Sequence, residues 1–237
     1  MNESTLTILC ITAISLGFIH TLIGPDHYLP FIVMSKARKW NLRKTLGLTF
    51  VCGLGHVLSS VVLGLLGVVL GIALGKLEAF EAARGSLAAQ GMIIFGFSYC
   101  VWGCWRAFKN KPHTHLHVHN DAGEHAHEHA HTHVHTHVHE AEKKNITPWI
   151  LFVIFVLGPC EPLIPLLMFP AAQHSVWGTV LVATVFSIVT IATMMSIVLV
   201  SVWGFSFIKL DRAERFSHAL AGSAILASGL AIQFLGL

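Results

Sequence analysis

The sequence predicts an all-α, polytopic membrane protein with six transmembrane helices, arranged as two inverted three-helix repeats with broken first helices. Three observations support this class. Of the 237 residues, 54% are hydrophobic and only 11% are charged, whereas soluble proteins carry about 25% charged residues. The apolar residues form long runs, each able to cross roughly 30 Å of hydrocarbon. A Gly-Pro motif at Gly24 recurs at Gly158.

Six apolar stretches define the predicted spans. The first contains its own helix breaker, the pair Gly24-Pro25, because proline cannot donate the backbone hydrogen bond that continues a helix. The first, second and fifth stretches exceed the roughly 20 residues that a span requires, so we expect them to be tilted, broken or extended beyond the bilayer. In chain order the stretches cover residues 5–34, 45–75, 87–108, 148–170, 175–208 and 218–237.

The two Gly-Pro motifs divide the chain into repeats. Residues 24–27 (Gly-Pro-Asp-His) are echoed by residues 158–161 (Gly-Pro-Cys-Glu). Each motif opens a set of three spans, and because three is odd, the second set crosses the membrane in the opposite direction. We expect the first repeat in residues 1–111, a disordered cytoplasmic loop in 112–147 and the second repeat in 148–237. Interrupted spans at matching positions of two halves indicate a transporter's midplane binding site.

The distribution of positive charge predicts the orientation. Lys and Arg accumulate in cytoplasmic loops, and with six crossings all but Lys76 and Arg84 of the 15 basic residues fall on one face. Both termini should then lie outside the cytoplasm of a bacterial inner (plasma) membrane. No Lys or Arg precedes the first apolar run, so we expect this run to be a retained helix rather than a signal peptide.

Ionisable residues inside the spans form a candidate metal site. Such a residue costs at least a few kcal/mol in a membrane and marks a functional site by default. His20 lies two helical turns before His27, so both rings can face one side. For His56 alone, a hydrogen bond between helices remains an alternative. Imidazole with carboxylate suits nickel, cobalt, zinc or copper. The predicted ligands are His20, Asp26, His27, His56, Cys160 and Glu161.

A histidine-rich tract separates the two repeats. Twelve of the residues from His113 to His139 are histidine, and such a composition cannot build a packed core. Because imidazole binds borderline metal ions, we predict that the tract captures metal, with a solubilising linker as the alternative. The capturing residues would be His113, His115, His117, His119, His125, His127, His129, His131, His133, His135, His137 and His139.

These motifs resemble the nickel/cobalt transporter superfamily, which includes nickel/cobalt efflux proteins and the UreH- or HupE/UreJ-like urease and hydrogenase accessory membrane proteins. The resemblance rests on residues 20–27 (His-Thr-Leu-Ile-Gly-Pro-Asp-His), on the Gly-His pair ending at His56, on residues 158–162 and on the His-rich loop. It implies that the two histidines and the aspartate of the first motif handle the metal. Five residues separate its first His from its Asp-His pair. This spacing resembles the accessory branch, whereas the signature of the nickel/cobalt permeases has four.

The sequence therefore predicts transport of a divalent transition-metal ion, nickel and/or cobalt, in the direction of efflux because the tract faces the cytoplasm. Three alternatives remain. One is an accessory protein that delivers nickel to a urease or hydrogenase, and another is an exporter of a different small solute. The third is a thiol/disulfide electron carrier, which needs a cysteine in each half, whereas Asp26 stands where the second half has Cys160.

Other partners and activities are not expected. The sequence offers no set of nucleophile, base and orienting residue, so we predict no enzyme and no prosthetic group. The basic residues lie at the ends of spans, where they act as orientation signals, so we predict no nucleic-acid partner. The expected partners are the metal ion and the lipid bilayer, and homo-oligomerisation is left open.

Overall fold

The computed structural model of the protein describes residues 2–109, 113–117, 125–129, 146–205 and 214–236. In these residues the chain forms eight α-helices and one pair of short strands. The helices are α1 (Glu3–Ile23), α2 (Leu29–Ala37), α3 (Leu42–Val69), α4 (Leu74–Lys109), α5 (Thr147–Leu157), α6 (Leu163–Ala172), α7 (Val176–Phe205) and α8 (Ser217–Leu235), and the strands are β1 (His113–His117) and β2 (His125–His129).

Most of the helices are suited to a lipid environment. By length and composition, α1, α3, α4, α7 and the segment Glu214–Leu235, which contains α8, are able to cross a membrane. The three remaining helices are shorter: α2, α5 and α6 have 9, 11 and 10 residues. Large apolar side chains such as Ile11, Val69 and Trp177 are exposed on the helix surfaces, and exposed apolar surface of this extent marks contact with a membrane or partner. The chain is a multi-pass, α-helical membrane protein.

Two interruptions divide apolar segments at the predicted Gly-Pro motifs. The first separates α1 from α2 and contains a 3-10 turn, Pro25–His27. The second separates α5 from α6. Residues 24–28 are called the first break and residues 158–162 the second break.

Both breaks lie beside the middle of α3. His56 is close to the centre of this 28-residue helix. The His27 ring, in the first break, has its centroid 5.0 Å from that of His56. In the second break, a Cβ placed on Gly158 would lie 3.1 Å from His56 Nδ1. The two breaks therefore meet the same short segment of α3.

Helix α4 is longer than the third predicted span. It has 36 residues, about 54 Å at 1.5 Å per residue, and the predicted stretch 87–108 covers only its second part. We expect residues 76–86 to lie between spans because they contain charged residues, but they belong to the same helix. Arg84, which we assigned to the loop opposite the basic face, is instead a buried residue of α4.

Helices α4 and α8 pack antiparallel through glycines. A Cβ added to Gly96 would meet the backbone of Leu226, and one added to Gly103 would meet the backbone of Ala219. A Cβ on Gly222 would meet the backbone of Cys100. Small residues allow such close approach of helix backbones in lipid, so this contact fixes the distance between the two helices.

The histidine-rich tract contains a two-stranded antiparallel ribbon, in which His113 of β1 pairs with His129 of β2. We expected a disordered segment over residues 112–147, and the paired strands differ from that expectation. The physical reason is the alternation of histidine with other residues, because a period of two is the pattern of a strand. Six of the predicted capturing residues lie outside the described residues: His119, His131, His133, His135, His137 and His139.

Candidate metal centre

Three histidines from three segments converge inside the helical bundle. His20 comes from the last turn of α1, His27 from the first break and His56 from α3. Each ring offers one nitrogen, and these three nitrogens all lie within 4.8 Å of one another. Because bonds from zinc to imidazole are about 2.0–2.1 Å long, a small inward shift would let the three nitrogens share one ion. We call these residues the histidine trio.

Backbone hydrogen bonds orient two of the three rings. His27 Nδ1 lies 3.0 Å from the Gly24 carbonyl oxygen, and His56 Nδ1 lies 3.3 Å from the Phe155 carbonyl oxygen. A carbonyl oxygen only accepts, so in each ring Nδ1 carries the proton and Nε2 presents a lone pair. A metal-ligating histidine typically has this arrangement, with its other nitrogen bonded to a carbonyl or carboxylate.

The remaining nitrogens of the trio fit a cation. Among the described residues, Nε2 of His20, His27 and His56 is buried and has no hydrogen-bond partner. A buried polar atom without a partner costs about 1–3 kcal/mol. Three such acceptors on neighbouring rings are chemically suited to a divalent ion, which takes lone pairs from several nitrogens at once.

Asp26 supports the trio from the side. Its Oδ1 lies 3.1 Å from His27 Nδ1, and its side chain is 20% exposed. It does not belong to the group of close ligand atoms formed by the three histidines. A carboxylate beside a ligating histidine fixes the ring and raises its basicity. We predicted Asp26 as a ligand. In the structure it instead contacts Nδ1 of His27 and lies outside the group of close ligand atoms.

Local sequence explains how the first break presents His27. Gly24 ends α1, and Pro25 then begins the 3-10 turn that carries His27. A Cβ on Gly24 would lie 2.5 Å from His27 Nδ1 and 2.8 Å from Asp26 Oδ1. Glycine is therefore needed at this position because the two side chains fold back over it.

Cys160 and Glu161 are not brought to the trio. Cys160 is fully buried in an apolar cluster that includes Val57, Leu163 and Phe186, and Glu161 is exposed. We had extended the ligand set to them by analogy with the first break. The two breaks differ in backbone geometry, since the 3-10 turn of the first has no counterpart in residues 158–162. The side chains therefore project differently.

A buried ion pair in α4 was not predicted from the sequence. Glu81 is fully buried and contacts Arg84, which is 9% exposed. Both lie before the third apolar stretch, so hydropathy alone placed them in a loop. The sequence does contain a pattern that predicts this pair: opposite charges three residues apart lie on one face of a helix and can form an ion pair.

One family model matches most of the chain. It is described as the cytochrome c biogenesis protein transmembrane region, and it covers residues 28–231. The matched range includes His56 and both members of the buried ion pair, but it begins directly after His27. No curated protein and no solved structure matches the chain.

Proposed function

The chain belongs to the family of cytochrome c biogenesis protein transmembrane regions, and we propose that it transports a divalent transition-metal ion across the membrane. The observation that carries this proposal is the histidine trio, whose ring nitrogens lie within 4.8 Å of one another. Ionisable residues at membrane depth mark ion pathways by default. The family match is compatible with a role in transport or in electron transfer.

The ligand chemistry favours a borderline ion. Three imidazoles without a thiolate suit nickel, cobalt or zinc, whereas hard ions prefer oxygen ligands and Cu(I) prefers sulfur. The resemblance of residues 20–27 to the nickel/cobalt transporter superfamily supports nickel and cobalt within this group. No prosthetic group and no enzymatic step is part of the proposal.

The proposed architecture is an inverted repeat with six crossings. In it, α1 and α2 form one broken crossing, and α5 and α6 form the equivalent crossing of the second half. Two features support this arrangement. Both breaks contact the middle of α3, as expected for a site near the bilayer midplane. The third helices of the two halves, α4 and α8, run antiparallel, as an inverted repeat requires.

The proposed direction is efflux from the cytoplasm of a bacterium. The excess of Lys and Arg on one face supports an inner-membrane protein with both termini outside and the histidine-rich tract inside. A tract on that side would collect ions before they reach the trio. Delivery of nickel to a urease or hydrogenase, without transport, is the corresponding accessory role.

Cobalt binding tests the proposed site. The sample is the full-length protein in detergent, with the twelve histidines of residues 113–139 replaced by asparagine so that only the bundle binds metal. We expect one Co²⁺ per chain, with visible absorption from imidazole ligation. His56→Gln should weaken binding by more than about 100-fold, because even hydrogen-bond partners of a ligand contribute 10- to 100-fold. His174→Asn, at an exposed site, is the matched control.

Two results would contradict the metal site. One is an absence of Co²⁺ and Ni²⁺ binding by the folded parent chain. The other is equal Co²⁺ affinity in the parent and in His56→Gln.

Electron transfer is the second candidate, favoured by the family match. Cys160 in the second break is a free, buried cysteine, but the first break carries Asp26 at the corresponding position. Replacing Cys160 with Ser separates the two functions. If the protein is a metal transporter, the Cys160→Ser variant should still transport metal. Loss of metal transport in this variant, with unchanged Co²⁺ binding, would favour a function that needs the Cys160 thiol.

A further inference from the structure

The buried ion pair of α4 lies against the second break. Glu81 is fully buried, Arg84 is 9% exposed, and Arg84 Nη1 donates to Glu81 Oε1. Charged groups at membrane depth are costly and usually functional. The proposed transport function, as stated above, gives this pair no part.

The pair bonds to both sides of the second break. Arg84 Nη2 donates to the carbonyl oxygen of Val156 at 2.8 Å and to that of Gly158 at 3.4 Å. These carbonyls lie at the end of α5, where the last C=O groups have no N–H partner within the helix. Glu81 Oε2 accepts from the backbone N–H of Cys160 at 3.1 Å. The ion pair thus provides a hydrogen-bond donor to the end of α5 and an acceptor to the backbone directly before α6.

The same pair reaches α3 within one turn of a trio residue. Arg84 Nη2 donates to Ser59 Oγ at 2.7 Å, and the Ser59 hydroxyl donates to the carbonyl oxygen of His56 at 2.8 Å. Ser60 Oγ donates to Glu81 Oε2 at 3.4 Å. The second break is therefore tied to the part of α3 that carries His56.

The end of α5, directly before the second break, in turn holds the ring of His56. The Nδ1 atom of this ring donates to the carbonyl oxygen of Phe155 at 3.3 Å. Phe155 directly precedes Val156, whose carbonyl is held by Arg84. A Cβ on Gly158 would lie 3.1 Å from the same Nδ1, so the backbone there packs against the ring. A shift of this segment would remove the Nδ1 acceptor and allow Nε2 to turn away from the other histidines.

We infer that Arg84 and Glu81 are positioning residues for the metal ligand His56. They fix the second break against α3, and the Phe155 carbonyl then keeps Nε2 of His56 directed toward the trio. The inference rests on the proposed metal function. Arginine suits this role because its planar fork donates to several acceptors at once, which the single ammonium group of lysine does not reproduce.

A purely structural ion pair would act on stability alone. Apolar residues of similar volume often replace a buried ion pair without loss of stability, whereas removal of one partner leaves an uncompensated charge. The double variant Glu81→Leu/Arg84→Met therefore separates positioning from stability. Arg84→Lys keeps the charge and loses the fork, and Ser59→Ala removes only the link to the carbonyl of His56.

The test is Co²⁺ titration of the full-length protein in detergent, with the tract histidines replaced by asparagine, together with thermal unfolding. We expect the double variant to fold with a lower melting temperature, because the Val156 carbonyl and the Cys160 N–H lose their partners. It should also bind Co²⁺ at least about 10-fold more weakly and show an altered visible spectrum, which a loss of stability alone would not produce. Arg84→Lys should change affinity and spectrum in the same direction. Removal of the exposed ion pair between Lys39 and Glu214, by Lys39→Ala/Glu214→Ala, is the control and should change neither.

Each outcome decides a different claim. Parental affinity and spectrum in the folded double variant would overturn the positioning role. If the double variant does not fold, Arg84→Lys and Ser59→Ala decide, and an unchanged spectrum and affinity in both would overturn it as well. Failure of the parent chain itself to bind Co²⁺ would overturn the proposed function, and the inference with it, before any variant is compared.

Discussion

His56 connects the parts of the molecule on which the account depends. Its ring contacts His27 of the first break, and its Nδ1 donates to a carbonyl at the end of α5. Its position near the centre of α3 places both interactions at the same depth. A single imidazole therefore contacts both the first break and the end of α5, next to the second break, which suits the proposed role of His56 as a metal ligand between them.

Gly24 provides a residue-scale prediction. Gly24→Ala would place a methyl group 2.5 Å from His27 Nδ1, which displaces the ring and should weaken Co²⁺ binding about 10-fold or more, as loss of ring orientation does elsewhere. The matched control is Gly47→Ala, because a Cβ there meets nothing within 4 Å. The control should keep the Co²⁺ affinity and gain about 0.5–1 kcal/mol of stability from the better helix former.

Titration of both alanine variants with Co²⁺, and thermal unfolding in detergent, check this prediction. Equal Co²⁺ affinity in Gly24→Ala and Gly47→Ala would show that the close packing of His27 over Gly24 is not needed for the site.

The sequence indicates three histidines that the structure brings close together, but not the arrangement of the residues around them. His20, His27 and His56 could be predicted because an ionisable residue in an apolar span is conspicuous. The repeat motif indicated where the backbone is interrupted, yet it did not determine the direction of the side chains of Cys160 and Glu161. Those directions depend on the turn geometry of each break, which the shared Gly-Pro pair leaves open.

At the scale of elements, hydropathy located the helices better than their ends. The stretch predicted at 175–208 corresponds closely to α7 (Val176–Phe205). In contrast, α4 extends well before its apolar part, because Glu81 and Arg84 neutralise and hydrogen-bond each other inside the bundle. Such compensation depends on tertiary contacts with α3 and the second break, and a hydropathy average contains no information about them.

The packing of α4 on α8 gives the element-scale prediction. A Cβ on Gly222 would meet backbone atoms of Cys100, so Gly222→Ala can be accommodated only by moving one helix away from the other. We expect a loss of about 1–3 kcal/mol of stability, the usual cost of overpacking. Gly204→Ala is the matched control, because a Cβ there meets nothing within 4 Å.

Thermal unfolding of the two alanine variants, followed by circular dichroism in the same detergent, measures this difference. If Gly222→Ala melts at the same temperature as Gly204→Ala, the close contact between α4 and α8 does not contribute as described.

At the scale of the whole molecule, the proposal combines a buried trio with a histidine-rich tract outside the bundle. A tethered set of imidazoles raises the local ion concentration at the mouth of a pathway. Replacing the twelve tract histidines with asparagine should therefore slow transport when the metal concentration on the tract's side of the membrane is low, and leave the saturating rate unchanged. Concentration-dependent flux in proteoliposomes checks this, and identical flux at every concentration would remove the capture role.

Flux measured directly tests the central claim. Proteoliposomes containing the intact protein or His27→Ala would be compared for movement of radiolabelled nickel and cobalt, with zinc as a third ion. We expect nickel or cobalt flux in the intact protein and a loss of that flux in folded His27→Ala. An absence of flux for all three ions with folded intact protein, or equal flux in the two proteins, would contradict metal transport through the histidine trio.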